Sequence, residues 1–558
     1  MLKSMVPIAV ALLLLCQGAM AADVTVPGAG GQIRQIPPAP TEQRAVPEIR
    51  REQGSAPVVP APDGARILVK SLHVVGQTLY SEEVLVAASG FVADRELTLA
   101  ELRSMAARIS DHYHRNGYFV AQAYLPAQEI KDGAVTIAVL EGIYGSVSLQ
   151  NQTNLSDALA NGLLDGLDSG DIIAIDPLEN RLLLLSDIPG VQVRSTLTPG
   201  TSVGTSDLIV DLTPGRRVTG SVEADNAGYY YTGENRVGAT VNFNNPTGHG
   251  DVATLRVLTS GSGMIYGRAS YQMQFGRATA GIAYSALDYE LGEEFESLDA
   301  HGTARIASIF GSYPLVRSRN TNHYVLAGFD DKEFEDSVDA TSTFTEKSVQ
   351  VGWVGLAGNH RDGFGGGGLS RYSFTVFAGE LDIITPEALA VDEATAQANG
   401  QYQKLAFDVA RSQNVTDTVA LFGSVHGQVA GQNLDSSEKM DLGGPYGVRA
   451  YPVGEGYSDE AFVAQLEVRL LLSGFSERVP GQVQLIGFYD IGAGTINKDP
   501  WTDEDNSRTL SAAGAGITWA DRNNFFMSVY YARKVGDETA TAAPDSSDRY
   551  WLRGVKYF

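Results

Sequence analysis

The sequence predicts a mainly β protein: a transmembrane antiparallel β-barrel of about 16 strands, preceded by two small α+β domains. Three observations carry this expectation. Apolar residues alternate with small or polar ones from residue 216 to the end. The first residues read as a secretory signal. No apolar run reaches the roughly 18 residues that a membrane-spanning helix needs.

Composition narrows the field further. The chain has 558 residues, 43% hydrophobic and 19% charged, which argues against long-range disorder. Lys and Arg number 41 against 66 Asp and Glu, a net charge of −25, which repels polyphosphate and argues against a nucleic-acid partner. A single cysteine excludes thiolate-built zinc or iron–sulfur centres.

Lys3, the apolar run Val6 to Leu15 and the small residues Ala19-Met20-Ala21 form a signal peptide over residues 1–21. Leu15 stands where a lipoprotein signal needs a small residue before Cys16, so the mature chain is expected to start at Ala22 without cysteine. Residues 22–65 are rich in Pro, Gly and Ala and read as an extended linker. A short helix is expected around Thr41 to Glu52, interrupted by Pro47.

Residues 66–141 and 142–215 repeat one element order. In the first unit a strand over Ile67 to Val75 precedes a helix over Ser81 to Ser89 that Gly90 ends. Thr98-Leu99-Ala100-Glu101 is a capping box for a helix whose Leu99, Leu102, Ala106, Ile109 and Tyr113 share a face. Strands over Tyr118 to Leu125 and Ala134 to Leu140 follow, with Asp132-Gly133 as a turn between them. In the second unit Ile143 to Leu149 is a strand and Leu155 to Leu164 a helix. Asp176-Pro177-Leu178-Glu179 supplies an N-cap, and Val191 to Leu197 and Leu208 to Leu212 are the closing strands.

Residues 216–558 lose helical periodicity. Val237, Ala239, Val241 and Phe243 form one face of a strand, as do Tyr372, Phe374 and Val376, and Phe525, Met527, Val529 and Tyr531. A soluble β-sandwich or propeller shares such alternation. The segment's 343 residues (558 − 215), at about 20 per strand and connection, favour roughly 16 membrane strands around a polar lumen.

Leu442 to Pro452 is too rich in Gly and Pro for a strand and reads as a loop with one cation, Arg449, at its tip. In the strand that follows, parity puts Phe488, Asp490 and Gly492 on one face and Val483, Leu485 and Tyr489 on the other. Asp490 therefore points into the barrel, where an interior carboxylate needs a partner. An arginine on an inward-folded loop is one, and a solvated loop is the alternative.

Val448-Arg449-Ala450-Tyr451 resembles the Val-Arg-Gly-Tyr/Phe loop-tip motif of the outer-membrane transporters of two-partner (type V) secretion, the TpsB or ShlB/FhaC/HecB family of the BamA-like superfamily. Ala450 stands in place of the common Gly. Phe488-Tyr489-Asp490-Ile491-Gly492 resembles the family's barrel-wall motif. Leu125-Pro126-Ala127-Gln128 with Glu141-Gly142, and Ile188-Pro189-Gly190-Val191, resemble parts of its two POTRA domains. Asn244 to Asp251 resembles its early barrel hairpin and Tyr313 to Arg319 a later strand, and the terminal Phe558 suits an outer-membrane assembly signal.

The resemblance implies a translocator in the outer membrane of a Gram-negative bacterium, surrounded by outer-membrane lipid, with periplasmic POTRA domains. It implies export of one large unfolded exoprotein, adhesin- or haemolysin-like, with no nucleotide, no cofactor, no metal and no catalytic residue, by a chain that works as a monomer. It also implies a salt bridge between Arg449 and Asp490, with Tyr451 packed beside it. A BamA-type assembly factor is the alternative, although such factors usually carry more POTRA domains. A passive porin has no use for two periplasmic domains.

Other signals are bland. Gly200-Thr201-Ser202-Val203-Gly204 matches a nucleophile elbow, but no helix follows it. His112 and His114 end a helix on different sides, and Gly363 to Gly368 lacks the Lys of a phosphate loop.

Overall fold

The computed structural model describes residues 26–42, 47–51 and 66–558. The signal peptide expected over residues 1–21 lies outside them. Within the linker the described residues hold a short helix, α1 (Ala29–Arg34), and a strand, β1 (Glu48–Arg51). This corrects the helix expected around Thr41 to Glu52, because Glu48–Arg51 is extended. Pro47 disfavours a helix through it, and an open sheet edge in the second unit supplies backbone partners instead.

The first unit contains β2 (Arg66–Val69), β3 (Ser71–Val75), α2 (Glu82–Ser89), β4 (Arg95–Thr98), α3 (Leu99–Arg115), β5 (Gln122–Tyr124) and β6 (Ala134–Leu140). Thr98 and Glu101 form the capping box reciprocally, with Glu101 N–H donating to Thr98 Oγ1 at 3.2 Å and Thr98 N–H donating to Glu101 Oε2 at 2.7 Å. The strand expected over Ile67 to Val75 breaks at Lys70, whose N–H turns to the Gly133 carbonyl at 2.8 Å. The strand expected from Tyr118 shrinks to Gln122–Tyr124, because Tyr118 N–H still closes the helix on the Tyr113 carbonyl at 3.0 Å.

Leu85, Leu102, Ile109, Tyr113 and Ile137 fill the core of this unit. Glu141 lies at its edge and accepts hydrogen bonds from Thr78 N–H (2.8 Å), Leu79 N–H (2.9 Å) and the Tyr113 hydroxyl (2.8 Å). Burial pushes its carboxyl up, but the hydrogen bonds from Thr78, Leu79 and Tyr113 prevail and hold it below the ordinary glutamate value.

The second unit contains β7 (Ile143–Asn151), α4 (Asp157–Leu164), α5 (Ile175–Ser186), β8 (Val191–Pro199) and β9 (Thr205–Pro214). Its topology repeats the first: the opening strand lies parallel to the last, and the penultimate strand lies antiparallel to it, in the orders β3-β6-β5 and β7-β9-β8. The expected Asp176 cap is displaced. The N-cap is Ala174, and Asp176 sits in the first turn, where its charge favours the helix dipole. β1 adds to the outer edge of β8 in parallel, Glu48 opposite Arg194 through Arg51 opposite Leu197.

Sixteen antiparallel strands then close a barrel. The first eight are β10 (Val218–Asp225), β11 (Arg236–Asn244), β12 (Val252–Thr259), β13 (Met264–Phe275), β14 (Ala278–Glu290), β15 (Ala300–Arg317), β16 (Thr321–Val338) and β17 (Thr343–Asp362). The rest are β18 (Gly368–Ile383), β19 (Gly400–Asn414), β20 (Val419–Ala430), β21 (Glu460–Leu471), β22 (Gln482–Thr495), β23 (Ser507–Asp521), β24 (Phe525–Lys534) and β25 (Asp548–Tyr557). β10 pairs with β25 to complete the circle. The apolar faces point outward: Ile282, Ile309 (63% exposed), Val354, Val376 and Leu466 (62%) lie bare on the outside. A soluble sheet would bury such residues, whereas lipid accepts them.

The second unit sits on two of the barrel's turns. Arg317 Nε and Nη2 donate to Asp187 at 2.7 and 2.9 Å, and Arg319 Nε pairs with Glu179 at 2.7 Å. Asn154 and Asn245 exchange hydrogen bonds at 2.7 and 3.0 Å, and Ser156 N–H donates to the Gly248 carbonyl at 2.8 Å. Gly248 has φ +85°, and a Cβ there would stand 2.4 Å from the Asn154 carbonyl oxygen, so both backbone and neighbour demand glycine. The segments Asn244 to Asp251 and Tyr313 to Arg319 are thus the seats of the second unit.

Candidate functional site

Two segments obstruct the lumen. The first is the connection between β20 and β21, residues 431–459, which starts at the mouth opposite the two N-terminal units and folds back into the barrel. Its tip is knotted by backbone contacts: Val448 N–H donates to the Leu442 carbonyl at 2.8 Å and Gly444 N–H to the Tyr451 carbonyl at 3.0 Å. A Cβ on Gly447 would meet the Gly443 oxygen at 2.2 Å, so the tip closes only on glycine. Ala450 is fully buried and is not among the residues with positive φ, so this position needs no glycine.

Arg449 is 2% exposed and Asp490 fully buried, and the two meet at the barrel wall. Arg449 Nε and Nη2 donate to the two carboxylate oxygens at 2.8 and 2.6 Å, and the Arg449 backbone N–H adds a bond at 3.2 Å. The free edge of the guanidinium reaches Glu467 Oε1 through Nη1 at 2.8 Å. Its face lies 3.5 Å from the Phe488 ring centroid, so one cation is met by two carboxylates and an aromatic face. Val448 packs so closely on the wall that a Cβ at Gly492 would stand 2.9 Å from its Cγ2. Tyr451 is fully buried, donates its hydroxyl to the Glu538 carbonyl at 3.1 Å and lies beneath Lys534.

Parity in the sequence reaches Asp490 but neither Glu467 nor Trp551. Glu467 lies opposite Phe488 in the β21–β22 register, and Trp551 Nε1 donates to the Arg449 carbonyl at 2.7 Å from β25. The root of the loop is held on the wall formed by β16 to β19. Glu438 pairs with Lys332 (2.5 Å) and Lys404 (2.7 Å), and Asp435 pairs with Lys347 at 2.8 Å.

The second obstruction is α1 with the residues after it. Ala29 N–H donates to Asp336 Oδ1 at 2.7 Å, and Gln32 accepts from Thr232 at 3.2 Å. Gln35 Nε2 donates to the Tyr457 hydroxyl at 2.6 Å, tying α1 to the loop. Gly30 is wedged against the loop root, since a Cβ there would meet Ser437 Cβ at 2.6 Å. Farther on, Arg236 and Arg256 donate to the carbonyls of Gln35 (3.4 Å) and Pro37 (2.5 Å) while paired with Asp225 and Glu223. The chain therefore runs along the β10–β12 wall.

The bland signals stay apart from this site. Gly200 to Gly204 is the β8–β9 turn, His114 bonds the Ala121 carbonyl at 2.8 Å, His112 faces the Tyr80 ring, and Gly363 to Gly368 connects β17 and β18.

The model of the haemolysin secretion/activation protein ShlB/FhaC/HecB family matches residues 204–519, more than half of the chain, and that of the ShlB-type POTRA domain matches residues 67–142. The heme/hemopexin transporter protein HuxB of Haemophilus influenzae (strain 86-028NP) is 28% identical over 494 residues, covering 86% of this chain and 85% of that protein. The outer membrane transporter CdiB of Dickeya dadantii (strain 3937) is 24% identical over 475 residues, covering 83% and 82%. The solved structure of CdiB from Escherichia coli shares the fold with a TM-score of 0.67 at 21% identity, over 90% of this chain and 94% of that one.

A lipid-facing closed barrel with an obstructed lumen and a POTRA domain defines the class: an outer-membrane protein translocator whose POTRA domain lies in the periplasm. Within that class the chain belongs to the ShlB/FhaC/HecB family of haemolysin secretion/activation proteins, the transporters of two-partner secretion.

Proposed function

We propose that the chain captures one large exoprotein while it is unfolded in the periplasm and passes it through its own barrel, working as a monomer and without nucleotide. The second β-α-α-β-β unit is proposed as a second POTRA domain. β1 already covers the β8 edge of that unit. In the first unit β5 is an edge strand beside α3, and a groove of about 1000 Å³ lies there between the two units. An extended segment pairing with such an edge gains backbone hydrogen bonds with little demand on its sequence.

Arg449 is proposed to hold the loop at a fixed depth through Asp490 and Glu467, with Val448, Ala450 and Tyr451 packing the tip and Phe488 stacking on the guanidinium. No catalytic step is assigned to any residue. The observation that carries this reading is the pair of segments obstructing a closed lumen next to the periplasmic units, an arrangement a passive solute pore does not need. The test is co-expression with a large exoprotein encoded in a neighbouring reading frame. Export reading requires that protein at the cell surface only when this chain is present. A fall in many outer-membrane barrels on depletion would point to an assembly factor instead.

A further inference from the structure

Most lumen cations near the outer mouth are neutralised by the chain itself, as with Arg236, Arg256, Lys332, Lys347 and Arg508. The periplasmic half of the lumen differs. Below the loop tip lies a cavity of about 890 Å³ that Arg361 and Arg371 line from the ends of β17 and β18. Both share parity with the inner face, since Val354, Leu356, Phe374 and Val376 of the same strands are exposed on the opposite, lipid-facing side. Arg371 pairs across the sheet with Asn359, so the two arginines are diagonal neighbours.

Among the described residues, no carboxylate lies within ion-pairing distance of either guanidinium. Of the acids that border the cavity, Asp362 is held by Arg411 at 2.8 and 3.1 Å, and Asp408 lines the wall on β19, across the sheet from His426 and not ion-paired with either arginine. Phe422 forms part of the wall with Arg469 stacked on it at 4.1 Å, and the half-exposed Tyr446 of the loop forms the ceiling. In a chain of net charge −25, two adjacent cations that face an open cavity without an ion-pair partner, with Arg469 on the same wall against the one unpaired acid Asp408, are a recognition feature.

We propose that this cavity is a receiving site for an extended polypeptide segment bearing carboxylate side chains. Arg361 and Arg371 bind the carboxylates, and Phe422 and Tyr446 take apolar or aromatic groups of the same segment. The inference rests on the export reading and names the chemistry of the first cargo segment to enter the barrel. Arg469, already paired with Glu467, links this cavity to the Arg449 anchor, so the segment arrives directly beneath the loop tip.

The test uses the full chain purified in detergent and a fluorescent peptide of Glu, Ser and Gly, with a Lys, Ser and Gly peptide as control. The acidic peptide is expected to bind in preference to the basic one, more weakly as salt rises. The double variant Arg361→Ser, Arg371→Ser is expected to lose at least about tenfold in that affinity while remaining heat-modifiable. In planar bilayers the same variant shifts the reversal potential toward cation selectivity. Equal binding of the two peptides, or an unchanged affinity in the folded double variant, overturns the proposal. Should the variant misfold, single Ser variants read by the same reversal-potential shift decide it. Equal binding of the two peptides by an unaltered chain that exports its cargo sinks this site alone; arginine-dependent binding by a chain that exports nothing sinks the export reading and leaves the site standing.

Discussion

The loop tip and α1 obstruct the same lumen, yet they are held differently. At the tip one guanidinium meets Asp490, Glu467 and the Phe488 ring inside a shell of Leu442, Val448, Ala450, Tyr451, Ile486 and Leu510. α1 offers Ala, Gly, Gly and Gln to its surroundings and is held mainly by hydrogen bonds to Asp336, Thr232 and Tyr457. Withdrawing the tip strands buried charges. Withdrawing α1 exposes wall groups that keep partners of their own, such as Arg236 with Asp225 and Arg256 with Glu223. The contrast teaches that the loop is a fixture and the N-terminal segment a stopper.

The largest expected effect tests the fixture. Arg449→Ala leaves the Asp490 carboxylate unpaired in a confined site, at a cost of about 3–5 kcal/mol, and Asp490→Ala costs less because Arg449 keeps Glu467. Export should fall to background while the protein stays heat-modifiable on gels. Normal export from both variants would end the contrast. Next, deleting residues 26–37, or introducing Gly30→Val against Ser437, should raise single-channel conductance several-fold. The barrel itself should lose little thermal stability, and a large loss would make α1 a fixture too.

A remote buried carboxylate sharpens the comparison by leaving the lumen alone. Glu141→Gln weakens the bonds from Thr78, Leu79 and Tyr113 and should cost the first unit about 1–3 kcal/mol, read by unfolding of that unit, with conductance unchanged. Because its folded value lies below the ordinary one, Glu141 contributes stability that is present above the ordinary glutamate range. That contribution is lost as pH falls through the folded value, and the Gln variant should lack this acid-side loss. The smallest effect concerns the seat of the second unit. Asp187→Asn at the partly exposed Arg317 pair should cost at most about 1 kcal/mol and show as faster proteolysis at that junction.

Much of this fold is legible in the sequence because its signals are local. Strand alternation reports which face meets lipid, and the reciprocal Thr98–Glu101 cap reports a helix start. Arg449 and Asp490 are legible because a loop cation and an interior carboxylate each need a partner. Glu467 is not, since its place beside Arg449 depends on the register between β21 and β22, which no short window carries. α1 is not legible either: Ala-Gly-Gly-Gln has weak helix propensity, and the lumen wall and the loop root shape it. The displaced cap at Ala174 and the strand at Glu48–Arg51 have the same origin, in that tertiary partners outvote local preference.

Because β1 is stitched onto the second unit, the stopper is on a leash. Residues 38–47 (47 − 37 = 10) separate Pro37 from that stitch, and ten residues reach no farther than about 33–36 Å when stretched. A stopper pulled from the pore toward the periplasm stays tethered close to where it left, ready to recork the channel once the cargo has gone.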